Sequence, residues 1–179
     1  MKRLIAFVVV LLMISVYLLS CEKDDICSED IPTTPGLVVQ FHNKEIPTDT
    51  LVVSNFRYYV LGSNEVLPAN PSAGVYKITL PLRTDQDEVT WALQYNSTSP
   101  ITGVISTNTD YLTIKYTRKN TYVSRACGYK TTFVLNPATS GNPNPSVTDA
   151  DATPFIDGNP EVVTPYIENE NEVHVKIYF

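Results

Sequence analysis

Histidines are the side chains that most often move protons in enzymes, and this chain of 179 residues has only two, His42 and His174. Each lies among strand-forming residues, and no second histidine or cysteine stands at the spacing of metal ligands. We therefore expect both on the solvent faces of strands. The chain also lacks a Gly-x-Ser-x-Gly turn, a glycine-rich phosphate loop and a His-Glu-x-x-His pair. The sequence thus predicts no catalytic residue, no metal and no cofactor.

Carboxylates cluster in two places where they could do chemistry. Those around the segment 136–159 could supply the hard oxygen ligands of calcium, although their spacing matches no known calcium loop: Asp149, Asp151, Asp157 and Glu161. In a second cluster, Asp85 could work with Asp87 or Glu88 as the acid–base pair of a hydrolase. Solvated turn residues are the simpler interpretation of both clusters, and the hydrolase remains an alternative.

Exposed aromatic rings would indicate a glycan-binding surface, and the candidates on predicted strands are Trp91, Tyr95, Tyr58 and Tyr59. Trp91, Leu93 and Tyr95 alternate along one strand and would share a face, which favours a core stripe over a sugar platform. Adjacent Tyr58 and Tyr59 must face opposite sides of their strand. One of these two tyrosines is therefore expected to be exposed.

The N-terminal residues have the pattern of an export signal. Lys2 and Arg3 precede an uncharged run of about 16 residues, which is shorter than the roughly 20 residues of a spanning helix. The run ends in Leu-Leu-Ser-Cys at 18–21, which resembles the lipobox of bacterial lipoproteins. The resemblance implies a signal peptide over residues 1–20 and lipidation of Cys21, whose acyl chains would anchor the chain to a membrane. An ordinary signal peptide or an uncleaved helix is the alternative.

A charged tract directly follows Cys21. Lys23, Asp24 and Asp25 resemble the signal that sends lipoproteins of the Bacteroidota to the cell surface, and a plain solvated tether is the alternative. The implied location is the outer membrane, with surface display favoured over the periplasm. Thr50 is also a candidate glycan acceptor, because its surroundings resemble the O-glycosylation sequon of exported proteins in the same phylum.

Cys27 and Cys127 are the only thiols left once Cys21 carries lipid. Outside the cytoplasm they should form a disulfide. Neither belongs to a Cys-x-x-Cys pair, and the acidic residues around Cys27 disfavour a reactive thiolate there. Two reduced, buried cysteines are the alternative.

Composition limits the domain count and the partners. The chain is long enough for one domain with its own core, which we place at 36–179 after a lipidated tether at 21–35. Its formal net charge is −6, and removal of the signal peptide would make it more acidic. Attraction to nucleic acid or to anionic lipid is therefore disfavoured.

Apolar residues alternate with a period of two rather than at helical spacing, which predicts strands. The predicted strands are 37–42, 50–61, 75–82, 88–95, 101–106, 111–118, 129–135, 161–167 and 172–179. A turn at 168–171 would join the last two as a hairpin, and the segment 136–159, rich in proline and asparagine, is predicted as a mobile loop. This pattern favours an all-β fold, a single antiparallel β-sandwich of immunoglobulin-like or transthyretin-like shape.

Three short motifs of the chain resemble one known family. They are Cys21 followed by 24–27 and 34–35, the residues 123–129, and the ending 174–179. They resemble a lipoprotein family of the Bacteroidota, the domain of unknown function 6452. The resemblance spans nearly the whole mature chain and implies a lipoprotein with two further cysteines, which stand here as Cys27 and Cys127. It implies no activity, ligand or partner.

We therefore expect a non-enzymatic envelope module, attached to the membrane through lipid, that binds an unknown protein or glycan partner or supports an envelope assembly. A glycan-binding surface lipoprotein is the first alternative. A hydrolase and a small outer-membrane barrel, the latter raised by the tyrosines and the terminal Phe179, are the others. No partnership with nucleic acid is expected.

Overall fold

The structure is a computed structural model that describes Cys27 and the residues 34–63, 66–67, 73–151 and 154–179. Every regular element within these ranges is a β-strand, which confirms the all-β prediction. No helix among the described residues has the length and apolarity needed to span a membrane. The strands in chain order are β1 (Leu37–His42), β2 (Phe56–Val60), β3 (Val66–Leu67), β4 (Lys77–Leu80), β5 (Glu88–Thr98), β6 (Ile105–Ser124), β7 (Gly128–Leu135), β8 (Ser146–Asp149), β9 (Glu161–Val162), β10 (Tyr166–Ile167) and β11 (Val175–Tyr178).

The described residues divide into two compact units. Cys27 and Tyr122–Tyr129 form the hairpin unit, which contains the turn between β6 and β7. The remaining described residues form the sheet unit, in which the strands pair into two sheets.

One sheet has four strands in the order β4-β1-β11-β9. β1 pairs antiparallel with β4 but parallel with β11, so that Val39 lies beside Val175 and Phe41 beside Ile177. The parallel pair shows that a purely antiparallel fold is wrong. The predicted hairpin around 168–171 is confirmed in part, because β9 pairs antiparallel with β11 across that turn. The alternation along β11 identifies its buried face but does not identify the neighbouring strand.

The predicted strand over 161–167 is in fact two strands that belong to different sheets. β9 pairs with β11, whereas β10 pairs with β7. Pro165 lies between them and has no backbone N–H to donate to a ladder, which accounts for the break.

The other sheet has seven strands. Six follow the order β10-β7-β6-β5-β2-β3, and β8 pairs with β6 outside that order. β5 and β6 form a long antiparallel hairpin whose register runs from Glu88 opposite Lys115 to Thr98 opposite Ile105. The strand predicted at 111–118 belongs to β6, but of the strand predicted at 101–106 only residues 105–106 do, because 101–104 form the turn between β5 and β6. Both sheets have edge strands, so the described strands do not close into one sheet.

Apolar side chains from both sheets form a single buried cluster in the sheet unit. Phe41 of the four-stranded sheet contacts Phe56 of the seven-stranded sheet edge-on, with ring centroids 5.0 Å apart. Trp91 and Tyr116 are the largest side chains that are fully buried in this cluster. Burial of each large apolar side chain contributes about 1.5–3 kcal/mol, so this cluster is the main source of stability.

Candidate functional site

The residues predicted for lipidation and export, Cys21, Lys23, Asp24 and Asp25, lie outside the described residues. Thr50, the candidate glycan acceptor, is exposed, and its backbone forms an isolated antiparallel bridge with His42. An exposed hydroxyl is what attachment of a glycan requires. Glycosylation of Thr50 stays a prediction.

The structure contains a disulfide between Cys27 and Cys127, the pair that the sequence predicts, with Cα atoms 4.9 Å apart. Cys127 lies in the turn between β6 and β7, and its N–H donates to Oγ of Ser124 at 3.0 Å. Gly128 follows with φ of 68°, a left-handed conformation that glycine adopts without steric cost. The bridge therefore closes onto a turn with a defined backbone.

Two tyrosines that no sequence pattern indicated flank this turn. The rings of Tyr122 and Tyr129 meet edge-to-face with centroids 5.4 Å apart. Their exposed fractions are 55% and 70%. The two rings therefore contact each other while both remain exposed to solvent. They lie in the hairpin unit, which also contains the disulfide.

Both histidines are buried, so their predicted place on solvent faces is wrong. Nδ1 of His174 accepts the N–H of Val38 at 2.9 Å, which requires the neutral ring. Burial lowers the pKa of His174, and Glu172 and Glu170 oppose this effect. Nδ1 of His42 donates to the carbonyl oxygen of Pro47 at 2.9 Å. Local alternation could not reveal this burial, because β1 buries residues of both its faces and His174 lies just outside β11.

The carboxylates proposed for a hydrolase pair with cations rather than with each other. Asp85 binds Arg83 at 2.7 Å, and Asp87 binds Arg118 at 2.6 Å. Glu88 lies 3.6 Å from Lys115. The hydrogen bond from Arg83 lowers the pKa of Asp85, whereas a general acid at neutral pH needs a raised one.

The acidic residues around 149–161 do not assemble into a metal centre. Among the residues that the structure describes, no three His, Cys, Asp or Glu side chains are placed to hold a metal ion. Asp151 accepts the N–H of Thr109 at 3.0 Å, and Glu161 contacts the hydroxyl of Tyr178 and the ammonium group of Lys176. Asp151 and Glu161 therefore form hydrogen bonds and ion pairs with residues of neighbouring strands.

Asp110 is a buried carboxylate that was not predicted from the sequence. Its Oδ2 accepts the N–H groups of Phe155 at 3.1 Å and Ile156 at 2.9 Å, which fastens that segment to β6. Burial raises the pKa of Asp110. The side chain is fully enclosed and has no access to a substrate. Its period-two relation to buried Leu112 and Ile114 is the signal that could have identified it.

The aromatic candidates for glycan binding belong mostly to the core, as the sequence analysis favoured. Trp91 and Tyr58 are buried and meet edge-on with centroids 5.8 Å apart. Tyr95 packs against Phe179 at 5.6 Å. Trp91 and Tyr58 therefore offer no flat face to a sugar, and Tyr59, the other member of the adjacent pair, is half-buried.

The segment predicted as a mobile loop is instead a built part of the sheet unit. β8 pairs with β6 from Asp149 opposite Asp110 to Ser146 opposite Thr113. Upstream, Thr139 and Asn142 close a turn in which each N–H donates to the other carbonyl, at 3.0 and 2.9 Å. The prediction failed because proline and asparagine also build specific turns, and composition alone does not distinguish these from irregular chain.

Asn144 holds this segment against β6. Its Oδ1 accepts the N–H of Lys115 at 2.9 Å, and its Nδ2 donates to the carbonyl oxygens of Lys115 at 2.8 Å and Asn136 at 2.7 Å. The buried carboxamide therefore forms hydrogen bonds with the backbone N–H and carbonyl of Lys115, just beyond the residues of β6 that pair with β8.

A cleft of about 460 Å³ opens beside Asn144. Its polar lining consists of carboxamides and hydroxyls: Asn136, Asn142, Asn144, Thr139, Ser146 and Thr148. Pro137, Pro143 and Val147 add apolar surface, and Lys115 is the one charged residue of the lining. The volume is typical of small-molecule sites. We call this region the amide cleft.

The amide cleft can both donate and accept hydrogen bonds, since carboxamides and hydroxyls do both. The charge of Lys115 is offset by Glu88, so the cleft has little net charge to select an ion. Its lining contains neither a thiol nor a carboxylate. These groups can bind and orient a polar ligand, and none of them is a ready general base.

Comparison with known proteins gives a family and no function. No curated protein and no solved structure matches the chain. A model described as a family of unknown function (DUF6452) matches residues 50–179, which include Cys127 and the whole amide cleft but not Cys27. Because the match covers well over half of the sequence, the chain belongs to DUF6452, a family of unknown function.

Proposed function

We propose that this protein is an exported lipoprotein, anchored through Cys21, whose β-domain binds a neutral, hydroxyl-rich ligand in the amide cleft. A glycan is the ligand class that best fits. The observation that carries the proposal is the lining of the cleft, where three carboxamides and three hydroxyls surround about 460 Å³.

The chemistry of the lining favours a glycan over an ionic ligand. Sugar hydroxyls donate and accept hydrogen bonds, and the exposed amide of Asn142 and hydroxyls of Thr139 and Thr148 can do the same. The apolar faces of sugar rings could rest on Pro137 and Pro143. A phosphate or carboxylate ligand would instead call for unpaired cations, and Lys115 already faces Glu88.

Support for export and anchoring comes from the N-terminal sequence and from the disulfide. The lipobox-like tetrad before Cys21 implies lipidation, and disulfides persist in oxidising compartments outside the cytoplasm. Lys23, Asp24 and Asp25 favour display at the surface of the outer membrane. The shared core of the two sheets supports a sandwich of the immunoglobulin-like or transthyretin-like kind, here with one parallel strand pair.

The binding proposal is tested with a glycan array probed by the full-length, oxidised protein in detergent. We expect binding to a restricted set of glycans, and a loss of at least several-fold in the Asn142→Ala variant. Asn159→Ala, a change of an exposed amide outside the cleft, is the matched control and should bind normally. Equal binding by both variants, or binding of peptides in place of glycans, would contradict the proposal.

The anchoring proposal is tested in cells that incorporate a clickable fatty acid. The wild-type protein should be labelled and sediment with membranes, whereas Cys21→Ala should be unlabelled and released. Protease added to intact cells should remove the domain. Replacement of Lys23, Asp24 and Asp25 by alanine should protect it from protease while the label remains.

A further inference from the structure

We infer that the turn between β6 and β7 docks on the headgroup region of the membrane that holds the lipid anchor. The docking surface consists of Tyr122, Tyr129 and Arg125, all in the hairpin unit. The partner is a phospholipid surface. This inference rests on the proposed lipidation of Cys21 and does not depend on the amide cleft.

Covalent geometry keeps the turn close to the anchor. Cys27 follows Cys21 by six residues, and the disulfide sets Cα of Cys27 4.9 Å from Cα of Cys127. Even a fully extended chain spans only about 3.6 Å per residue, so Cys127 cannot be more than about 27 Å from Cys21. This reach is short beside the roughly 40–45 Å thickness of a bilayer with its headgroups. A lipidated Cys21 would thus present this turn to the membrane at high effective concentration.

The side chains of the turn suit that location. Tyrosine combines an apolar ring with a polar hydroxyl and is enriched where hydrocarbon meets water. Tyr122 and Tyr129 expose 55% and 70% of their surface although their rings touch, so both retain area to bury against lipid. If the turn stayed in water, the apolar area of both rings would remain exposed to solvent.

Arg125 offers this turn one side chain that can contact a phospholipid headgroup. Arg125 is exposed and is the one charged residue within Tyr122–Tyr129, whereas the segment around Cys27, which the disulfide joins to this turn, is acidic in sequence. A planar guanidinium donates to phosphate oxygens in a fork geometry. Arg125 forms no ion pair with any residue that the structure describes, so its guanidinium can contact a phosphate without breaking a salt bridge.

The test measures how fast individual tyrosines react with a water-soluble nitrating reagent. The full-length lipidated protein is reconstituted in vesicles of phosphatidylethanolamine and phosphatidylglycerol, and nitration is followed by peptide mass spectrometry. Cys21→Ala protein mixed with the same vesicles is the unanchored comparison. Tyr76 and Tyr166 of the sheet unit, with exposed fractions of 50% and 59%, are internal references.

We expect Tyr122 and Tyr129 to react several-fold more slowly in the anchored protein, with the references unchanged. A long glycine–serine insertion after Asp25 should abolish this protection while the disulfide and the lipid remain. Cys127→Ser should abolish it as well. Equal rates for Tyr122 and Tyr129 with and without the anchor, or the same slowing of all four tyrosines, would overturn the inference.

The same spectra separate the two proposals. An N-terminal peptide without acyl chains would refute both the lipoprotein function and the docking of the turn. An acylated peptide with unprotected Tyr122 and Tyr129 would refute the docking alone.

Discussion

Asn144 pairs with the backbone of Lys115 as a neighbouring strand would, accepting its N–H at 2.9 Å and donating to its carbonyl at 2.8 Å. A side chain thereby makes the hydrogen bonds of one residue pair in the sheet. It does so at Lys115, just beyond the residues of β6 that pair with β8. The same carboxamide bonds the carbonyl of Asn136, so it also ties together two sides of the amide cleft.

The Asn144→Ala variant should lose about 1–3 kcal/mol of unfolding free energy, because it leaves the backbone N–H of Lys115 without its partner, whereas the carbonyl oxygen of Lys115 still accepts the N–H of Asn136. Urea denaturation followed by fluorescence of Trp91 would measure the loss. Asn142→Ala removes an exposed amide from the same turn and should change stability by less than about 0.5 kcal/mol. Similar losses in both variants would show that Asn144 has no special role.

The disulfide should contribute substantially to stability. It joins residues 100 apart, and closing a loop of that length stabilises a fold by up to about 4.7 kcal/mol on the chain-entropy account. Cys127→Ser should therefore lower Tm by several degrees, and a reductant should have the same effect on the wild-type protein but none on the variant. Calorimetry gives the comparison. Thiols that alkylate freely in the folded, oxidised protein would rule out the bridge.

Acid should weaken the fold through His174. Burial holds the pKa of His174 below its ordinary value of 6.5, so the folded state binds this proton less tightly than the unfolded state. Its contribution to stability is complete above pH 6.5 and is lost as the pH falls towards the folded-state pKa. The structural reason is that a proton on Nδ1 would displace the N–H of Val38.

Denaturation curves at a series of pH values below 7 would measure this effect of His174. His174→Asn keeps an acceptor for Val38 and cannot titrate, so its stability should change less with acid than that of the wild-type protein. Parallel pH profiles for the two proteins would contradict the assignment. His42 is present in both proteins and cancels in the comparison.

Asp110 should give a dependence of the opposite sign. Burial raises its pKa above the ordinary value of 3.8, so the folded state binds this proton more tightly. Its contribution is greatest below pH 3.8 and is lost as the pH rises through the raised pKa. Asp110→Asn keeps an acceptor for Phe155 and Ile156 but no charge.

Relative to wild type, Asp110→Asn should therefore gain stability as the pH rises from about 4 towards neutrality. Chemical denaturation of both proteins across that range measures the gain. The substitution of Asp157 by Asn, at an exposed carboxylate nearby in the chain, is the control and should show no such trend. A constant difference between wild type and Asp110→Asn would mean that the carboxyl group does not titrate in this window.

The sequence predicted the faces of strands far better than their neighbours. Alternation along Val175–Tyr178 correctly marked the buried side of β11, but its parallel pairing with β1 depends on distant residues. The position of β1 was predicted to the residue, yet its burial on both faces, and with it that of His42, follows only from the strands around it.

The amide cleft shows a similar limit. Its asparagines and prolines were visible as composition, whereas the role of Asn144 depends on a contact with Lys115, 29 residues away. The disulfide was easier to predict, because two thiols remain after Cys21 and they have one way to pair. No sequence pattern marks Arg125 and the two flanking tyrosines, because only the disulfide brings their turn close to Cys21.

The bridge between Cys27 and Cys127 also determines where mechanical load would enter an anchored protein. Drag on the domain would pass from the lipid through six residues and the disulfide into the turn between β6 and β7. With the bridge closed, β1, the first strand after the tether, is then not the single point at which load enters the domain. Reduction of the bridge would reroute the tension to Leu37 and pull on β1 from its first residue, so the redox state of one bond would set the resistance of the fold to shear.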